Sequence, residues 1–244
     1  MLGHGRHDQR AFHSCLEWGE AGVRALADRA DVVVIVDVLS FTTSVSVAIE
    51  RGATVIPFRV HDDAAELHAR SVGATVANPD RRGPGPTLSP ASLSGLRYGE
   101  QVAIASPNGG TCSLLAAEAG VVVVAGCIRN AAAAGRFAAA HGATTAVIAA
   151  GERWPGGGLR PAVEDFVVAG AILAALDPDG LSPEAGAAVA AFRAAVGDLR
   201  ATLDASSSGQ ELRHAGFDRD VALAAELDAT DRVPVLVDGV FRGR

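Results

Sequence analysis

The sequence has 244 residues, 49% of them hydrophobic and 20% charged, with a formal net charge of -7. A chain of that size and apolar content buries a sizeable core as one domain or as two small ones sharing a sheet. Its acidic balance, with no basic run, excludes the charged face by which nucleic-acid binders displace counterions.

The N-terminal segment MLGHGRHDQRAFHSCLEWGE is too polar for a secretory signal, and the apolar stretches beyond it are interrupted short of a membrane span, so a cytoplasmic protein is expected. His4, His7 and His13 lie in this polar segment and are expected to be disordered rather than to ligate a metal. The run DVVVIVDVLS predicts a buried parallel strand through Val36 with Asp37 at its carboxyl end, then a helix in SFTTSVSVAIERG that stops at Gly52. ATVIPF predicts a second strand, DDAAELHARSVG a helix and ATVAN a third strand. Residues 79–99 turn Pro/Gly/Ser-rich, which marks a lid, a functional loop or a linker. Beyond them the same grammar returns: strand QVAIA, loop SPNGGT, helix TCSLLAAEAG, strand VVVVAG, helix RNAAAAGRFAAAHG and strand TTAVIAAG. The loop GERWPGGGLRPAVED leads into the helix EDFVVAGAILAAL, and a helical C-terminal third runs to an edge strand near VPVLV.

Short strands alternating with helices predict a three-layer α/β/α fold with a mostly parallel, doubly wound sheet built from two similar βα halves. Residues 1–244 are expected to form a single domain, with halves at 30–78 and 100–176 joined by the 79–99 loop. Ligands of such sheets bind beyond the carboxyl ends of the strands, where Asp37 and residues 106–111 and 151–153 all fall.

Asp37 ends an aliphatic run, where a buried carboxylate is costly unless a metal or hydrogen bonds offset it; a metal ligand or nucleophile is favoured over a simple cap. Ser40, Thr42 and Thr43 either cap the next helix or bind phosphate oxygens. The loop SPNGGT is either a turn with Thr111 as N-cap or a cradle of backbone N–H groups freed by glycine, and its company with Asp37 favours a shared anion and cation site. Glu164 and Asp165 open an apolar helix; adjacent residues diverge by about 100°, so one is expected to face the rim and the other away from it. Glu152, Arg153 and the triple glycine that follows form a mobile loop whose arginine suits an anion. The three cysteines, Cys15, Cys112 and Cys127, lack the spacing of a disulfide framework or a zinc site, and Cys112 is expected to be a small core residue. Ser208 and Glu211 match a capping box. None of the 21 basic side chains is a lysine, which excludes Walker A and Schiff-base chemistry.

Together, VDVLSFTTSVSVAIERGA, SPNGGT, AGCIRNAAA, VEDFVVAGAI and SGQELRHAGFDRDV resemble the 2-phosphosulfolactate phosphatase (ComB) family over nearly the whole chain. The resemblance implies a Mg²⁺-dependent phosphoric monoester hydrolase of coenzyme M biosynthesis, acting on 2-phosphosulfolactate or a related 2-phospho acid. The alternative is a non-catalytic anion-binding member of the same fold. The enzyme reading assigns Asp37, Glu152, Arg153 and Asp165 to catalysis. Ser40, Thr42, Thr43, Asn108, Gly109, Gly110, Thr111 and Asn130 are assigned to the substrate, and Mg²⁺ to Asp37 with Glu164 or Asp165. Attack by water and attack by Asp37 both fit. The chain departs from the family at Ser40 and Phe41, where the family reads Arg-Ala, and in ANPDRRGPGPTLSPASL, which keeps only Ser89-Pro90 of the family's middle motif. A second anionic group on the substrate is therefore expected to be held weakly, unless Arg81, Arg82 or Arg153 supplies the charge. The expected partners are a small anionic phosphoester and, at most, a second copy in a homodimer, with neither nucleic acid nor membrane.

Overall fold

The computed structural model describes residues 9–244. Its organising element is the valine run. Val32–Val36 forms strand β2, and all five of its side chains are shut off from solvent because the strand lies inside a parallel sheet covered on both faces. Alternation along it feeds two cores: Val32, Val34 and Val36 pack on one side, Val33 and Ile35 on the other.

In chain order, β1 (Ser14–Trp18) and α1 (Gly19–Leu26) precede β2, which is followed by α2 (Phe41–Glu50), β3 (Thr54–Phe58), α3 (Asp63–Ser71) and β4 (Thr75–Val76). A short α4 (Pro90–Leu93) interrupts the Pro/Gly/Ser-rich loop. Then come β5 (Gln101–Ala105), α5 (Gly109–Glu118), β6 (Val122–Gly126), α6 (Ala131–His141) and β7 (Thr145–Ala149). A small hairpin, β8 (Glu152–Arg153) with β9 (Leu159–Arg160), leads to α7 (Val163–Leu173). Helices α8 (Pro183–Ala195), α9 (Leu199–Ala205), α10 (Ser207–His214) and α11 (Asp218–Ala224) make the helical C-terminal part, and β10 (Pro234–Val237) and β11 (Val240–Gly243) complete the order.

Among the described residues nine strands form one sheet in the order β1-β7-β2-β6-β10-β11-β3-β5-β4, with helices on both faces. The fold is the expected three-layer α/β/α arrangement. Helices α1 and α5 cover one face of β2, and α6, α7 and α8 the other. The closest helix contact is α7 on α8: a Cβ on Gly170 would lie 1.9 Å from the Ala188 carbonyl oxygen, so only glycine allows it.

Three expectations need correction. The strand near VPVLV is not at an edge. The β10–β11 hairpin lies in the middle of the sheet, antiparallel to its neighbours, with Val235 opposite Val124 of β6 and Phe241 opposite Val55 of β3. The reason was present in the chain: Asp238 and Gly239 adopt φ of 50° and 76°, the turn that Asp-Gly favours between two hairpin strands. The N-terminal segment is also ordered from residue 9 onward. His13 donates its N–H to the Gly180 carbonyl at 2.9 Å and accepts from Thr145 N at 2.8 Å, leading directly into β1; His4 and His7 lie outside the described residues. Finally, the N-cap of α10 is Ser206, whose hydroxyl accepts from Gly209 N at 3.0 Å, while Ser208 sits inside the helix and accepts from Arg160.

Among the described residues no helix is long and apolar enough to cross a membrane.

Candidate active site

The carboxyl ends of β2 and β7 and the start of α5 converge on Asp37, which is only 6% exposed. Its Oδ2 accepts from Gly109 N at 2.7 Å and from Ser106 Oγ at 3.2 Å. This contact explains the glycines of SPNGGT. A Cβ on Gly109 would lie 2.6 Å from both Asp37 Oδ2 and the Phe41 ring, and one on Gly110 would lie 2.6 Å from the Phe58 carbonyl oxygen. The loop therefore grips a carboxylate of the protein itself. Helix α5 begins at Gly109, Asn108 occupies the N-cap position without a side-chain cap bond, and Thr111 is buried in the first turn, so Thr111 is not the cap.

The turn after Asp37 is held by α2. Thr42 Oγ1 donates to the Asp37 carbonyl at 2.9 Å and accepts from Asp37 N at 3.1 Å, and Thr43 Oγ1 donates to the Val38 carbonyl at 2.8 Å. Both threonines are fully buried, so their hydroxyls shape the loop and do not face an opening. Asn130 is equally committed. Its Oδ1 accepts from Cys127 N, and its Nδ2 donates to the carbonyls of Ala125 and Arg232, closing the turn after β6.

Asp165 braces the site from α7, with Oδ1 accepting from Val38 N and Oδ2 from Gly151 N, each at 2.8 Å. Gly151 is required here: its φ is +66°, and a Cβ would lie 2.9 Å from the Arg160 carbonyl oxygen. Glu164, its neighbour in the pair, is buried as well. It is 2% exposed, and its Oε2 is buried without a hydrogen-bond partner. Glu152, on β8, accepts from Asn108 Nδ2 at 2.9 Å. Arg153 donates to Glu20 at 2.8 Å and to the Pro107 carbonyl at 3.2 Å, and remains half exposed. A cleft of about 160 Å³ opens between Trp18, Glu20, Pro107, Asn108, Glu152 and Arg153.

Burial first, and then neighbouring negative charge, raise the proton affinity of three acids at this site. Burial pushes the Asp37 carboxyl up against the opposing bonds from Gly109 and Ser106, with the Glu164 charge adding to the rise. Asp165 is pushed well above the usual range by burial, then by the charges of Asp37 and Glu164. Glu152 is raised to about 7, first by burial and then by the Asp37 charge, against its bond from Asn108. Cys112, raised to about 12 chiefly by burial, is a thiol and no nucleophile.

Such a cluster suits a hard cation. Mg²⁺ needs only one or two carboxylates beside water and substrate oxygens, and the unpartnered Glu164 oxygen is the group left for it, since both Asp165 oxygens hold backbone N–H groups. Among the described residues no group of three or more His, Cys, Asp or Glu side chains is placed to hold a metal ion, so protein ligands here would number fewer than three.

Sequence reasoning placed Ser106 at the rim without giving it a role, and its hydroxyl bonds Asp37; it missed Arg160, which lies opposite Glu152 in the β8–β9 hairpin and tempers its pKa. Position in SPNGGT was a signal for the first. Pairing across a hairpin gave none for the second.

The mostly parallel sheet, with its acids gathered at the strand ends, defines an α/β protein whose candidate site lies at the carboxyl rim. A family model described as 2-phosphosulpholactate phosphatase matches residues 22–239. A protein of Deinococcus radiodurans named probable 2-phosphosulfolactate phosphatase is 30% identical over 218 residues, covering 86% of this chain and 89% of its own. Proteins of the same name from Thermosynechococcus vestitus and Gloeobacter violaceus are each 29% identical over 226 residues, covering 84% and 86% of this chain and 88% and 92% of their own. The chain belongs to the 2-phosphosulfolactate phosphatase family.

Proposed function

We propose that this protein hydrolyses a small anionic phosphomonoester, 2-phosphosulfolactate or a related 2-phospho acid, with Mg²⁺ bound by Asp37 and Glu164. The observation that carries the reading is the buried acidic cluster around Asp37, with one Glu164 oxygen unpartnered, in a chain of this family. When bound, Mg²⁺ supplies the positive charge that draws the phosphoryl oxygens to an acidic rim.

The chain's own residues do the rest. The phosphoryl group enters the cleft between Asn108, Glu152 and Arg153, where the guanidinium exchanges part of its hold on Glu20 for phosphoryl oxygens. Hydrolysis joins the oxygen of water to phosphorus, breaks the bond to the ester oxygen and gives one water proton to solvent. Glu152, protonated in half the molecules near pH 7, gives its proton to the departing alkoxide and regains one from water. Asn108 holds that carboxyl in place. Asp37 Oδ2, already accepting two hydrogen bonds, is poorly disposed to attack, which favours water over a phospho-Asp37 intermediate.

Phosphate release from a panel of small phosphoesters, with Mg²⁺ and with EDTA, tests the reading. Release should require Mg²⁺ and disappear in Asp37→Asn, a change that keeps the Gly109 and Ser106 contacts and should leave the melting temperature unchanged or raised. Full activity of the Asn variant would remove Asp37 from the mechanism.

A further inference from the structure

We propose that a second ligand site lies at the carboxyl rim of β3, β5 and β4, built for a small organic acid with an apolar body, its carboxylate on Arg59 and an oxygen at its far end on the Asn78 amide. A cavity of about 310 Å³ opens there, larger than the 160 Å³ cleft beside Glu152 and within the range of roughly 300–1,000 Å³ typical of ligand pockets. Its walls come from three parallel strands and the segments that follow them: Arg59 and Val60 after β3, Asn78 and Pro79 after β4, and Ile104 from β5. Parallel sheets receive ligands at this position. The two spaces share only Pro107, and among the described residues none of Asp37, Glu152, Arg153, Glu164 and Asp165 lines this one. The site does not depend on the phosphatase reading.

The lining is apolar except at its two ends. Arg59 and His61 are its only charged or titratable residues, and no acid lines it, in a chain of net charge -7. Each is held by an acid outside the lining: Arg59 by Glu118 of α5, and His61 by Glu66 of α3 at 2.9 Å. The side chains of Arg59 and Glu118 are 41% and 62% exposed. Exposed pairs contribute little, so the guanidinium turns to a ligand carboxylate at small cost. Asn78 stands at the other end. Its Oδ1 accepts from Asp80 N at 3.0 Å, and a Cβ on Gly83 would lie 2.2 Å from Nδ2, so the amide is fixed by its own loop. Among the described residues Nδ2 donates to no partner, which leaves it for an acceptor on a ligand. Strand β5 lies between β3 and β4, so the two ends are separated by two strand spacings, about 10 Å. Between them Ile104 and Ala77, both buried, and the exposed Val60 offer an apolar surface that a purely ionic ligand leaves uncovered.

The probe is 4-hydroxybenzoate, a rigid ring with a carboxylate at one end and a hydroxyl at the other. In calorimetric titration of the full chain it should bind at one site, roughly tenfold more tightly than 4-hydroxybenzamide, which lacks the charge, and about fivefold more tightly than benzoate, which lacks the far oxygen. Arg59→Gln should weaken it roughly tenfold. Asn78→Asp keeps the acceptor for Asp80 N and loses the donor, and should weaken it about fivefold. Both substitutions change exposed or half-exposed side chains and should leave the melting temperature unchanged. Saturating inorganic phosphate should leave the affinity for 4-hydroxybenzoate unaltered, because the phosphoryl cleft lies elsewhere. No binding of 4-hydroxybenzoate, or equal affinity in wild type and both variants, would overturn the assignment. Displacement by phosphate would overturn it as well, since the cavity would then be part of the phosphoryl site. Binding with both defects in a protein that releases no phosphate from any ester would uphold this site and reject the phosphatase reading.

Discussion

Glu152 shows what a single carboxyl contributes here. Its proton affinity rises from the ordinary 4.5 to about 7 on folding, so between those values the folded chain binds more protons than the unfolded one. Stability from this group is greatest below pH 4.5 and declines as pH climbs to 7. Glu152→Gln retains an acceptor for Asn108 and removes the titration. In EDTA, the wild-type melting temperature should fall relative to that of the variant between pH 5 and pH 7; parallel curves would show that Glu152 titrates normally. At this scale the sequence was partly legible. Asp37 stood out because a charge closing an aliphatic run must be compensated. Thr42, Thr43 and Asn130 bond backbone groups, which the sequence does not reveal, because composition cannot tell whether a hydroxyl or amide meets a ligand or its own backbone. Arg81 meets Ser40 only through a fold that brings positions 41 residues apart together.

The strand-to-helix loops were recognisable as elements, since apolar runs and glycine stops fix their limits to within a residue or two. The start of α5 was placed two residues late because glycine is a poor helix former, and its presence there answers to a tertiary contact. Gly109→Ala tests that contact. The new methyl meets Asp37 and Phe41 at 2.6 Å, in positions that packing does not let relax freely. Such overpacking should destabilise the protein by about 1–3 kcal/mol in urea unfolding. It should also displace the Asp37 carboxylate and lower Mg²⁺ affinity. Alanine tolerated at wild-type stability would mean that α5 approaches β2 less closely than described.

Across the whole molecule, two blocks of parallel strands meet through β10 and β11. Periodicity revealed the blocks and missed the joint, since an apolar run cannot announce which neighbours it will pair with. Phe241 fills that joint, fully buried and edge-on to Phe41, with ring centroids 6.2 Å apart. Phe241→Ala should cost about 3–5 kcal/mol in denaturant unfolding and loosen the Phe41 wall beside Gly109, so that ligand affinity falls with stability. A loss under 1 kcal/mol would show that the joint bears little of the fold's stability. The placement of this hairpin also has a consequence for biosynthesis. Residues 234–243 leave the ribosome after every other strand of the sheet, and until they do, the nascent chain carries two open edges, β6 and β3, each a template for pairing with a stranger. Slow translation over this stretch would prolong that exposure, and a chaperone that shields strand edges would matter most in that interval.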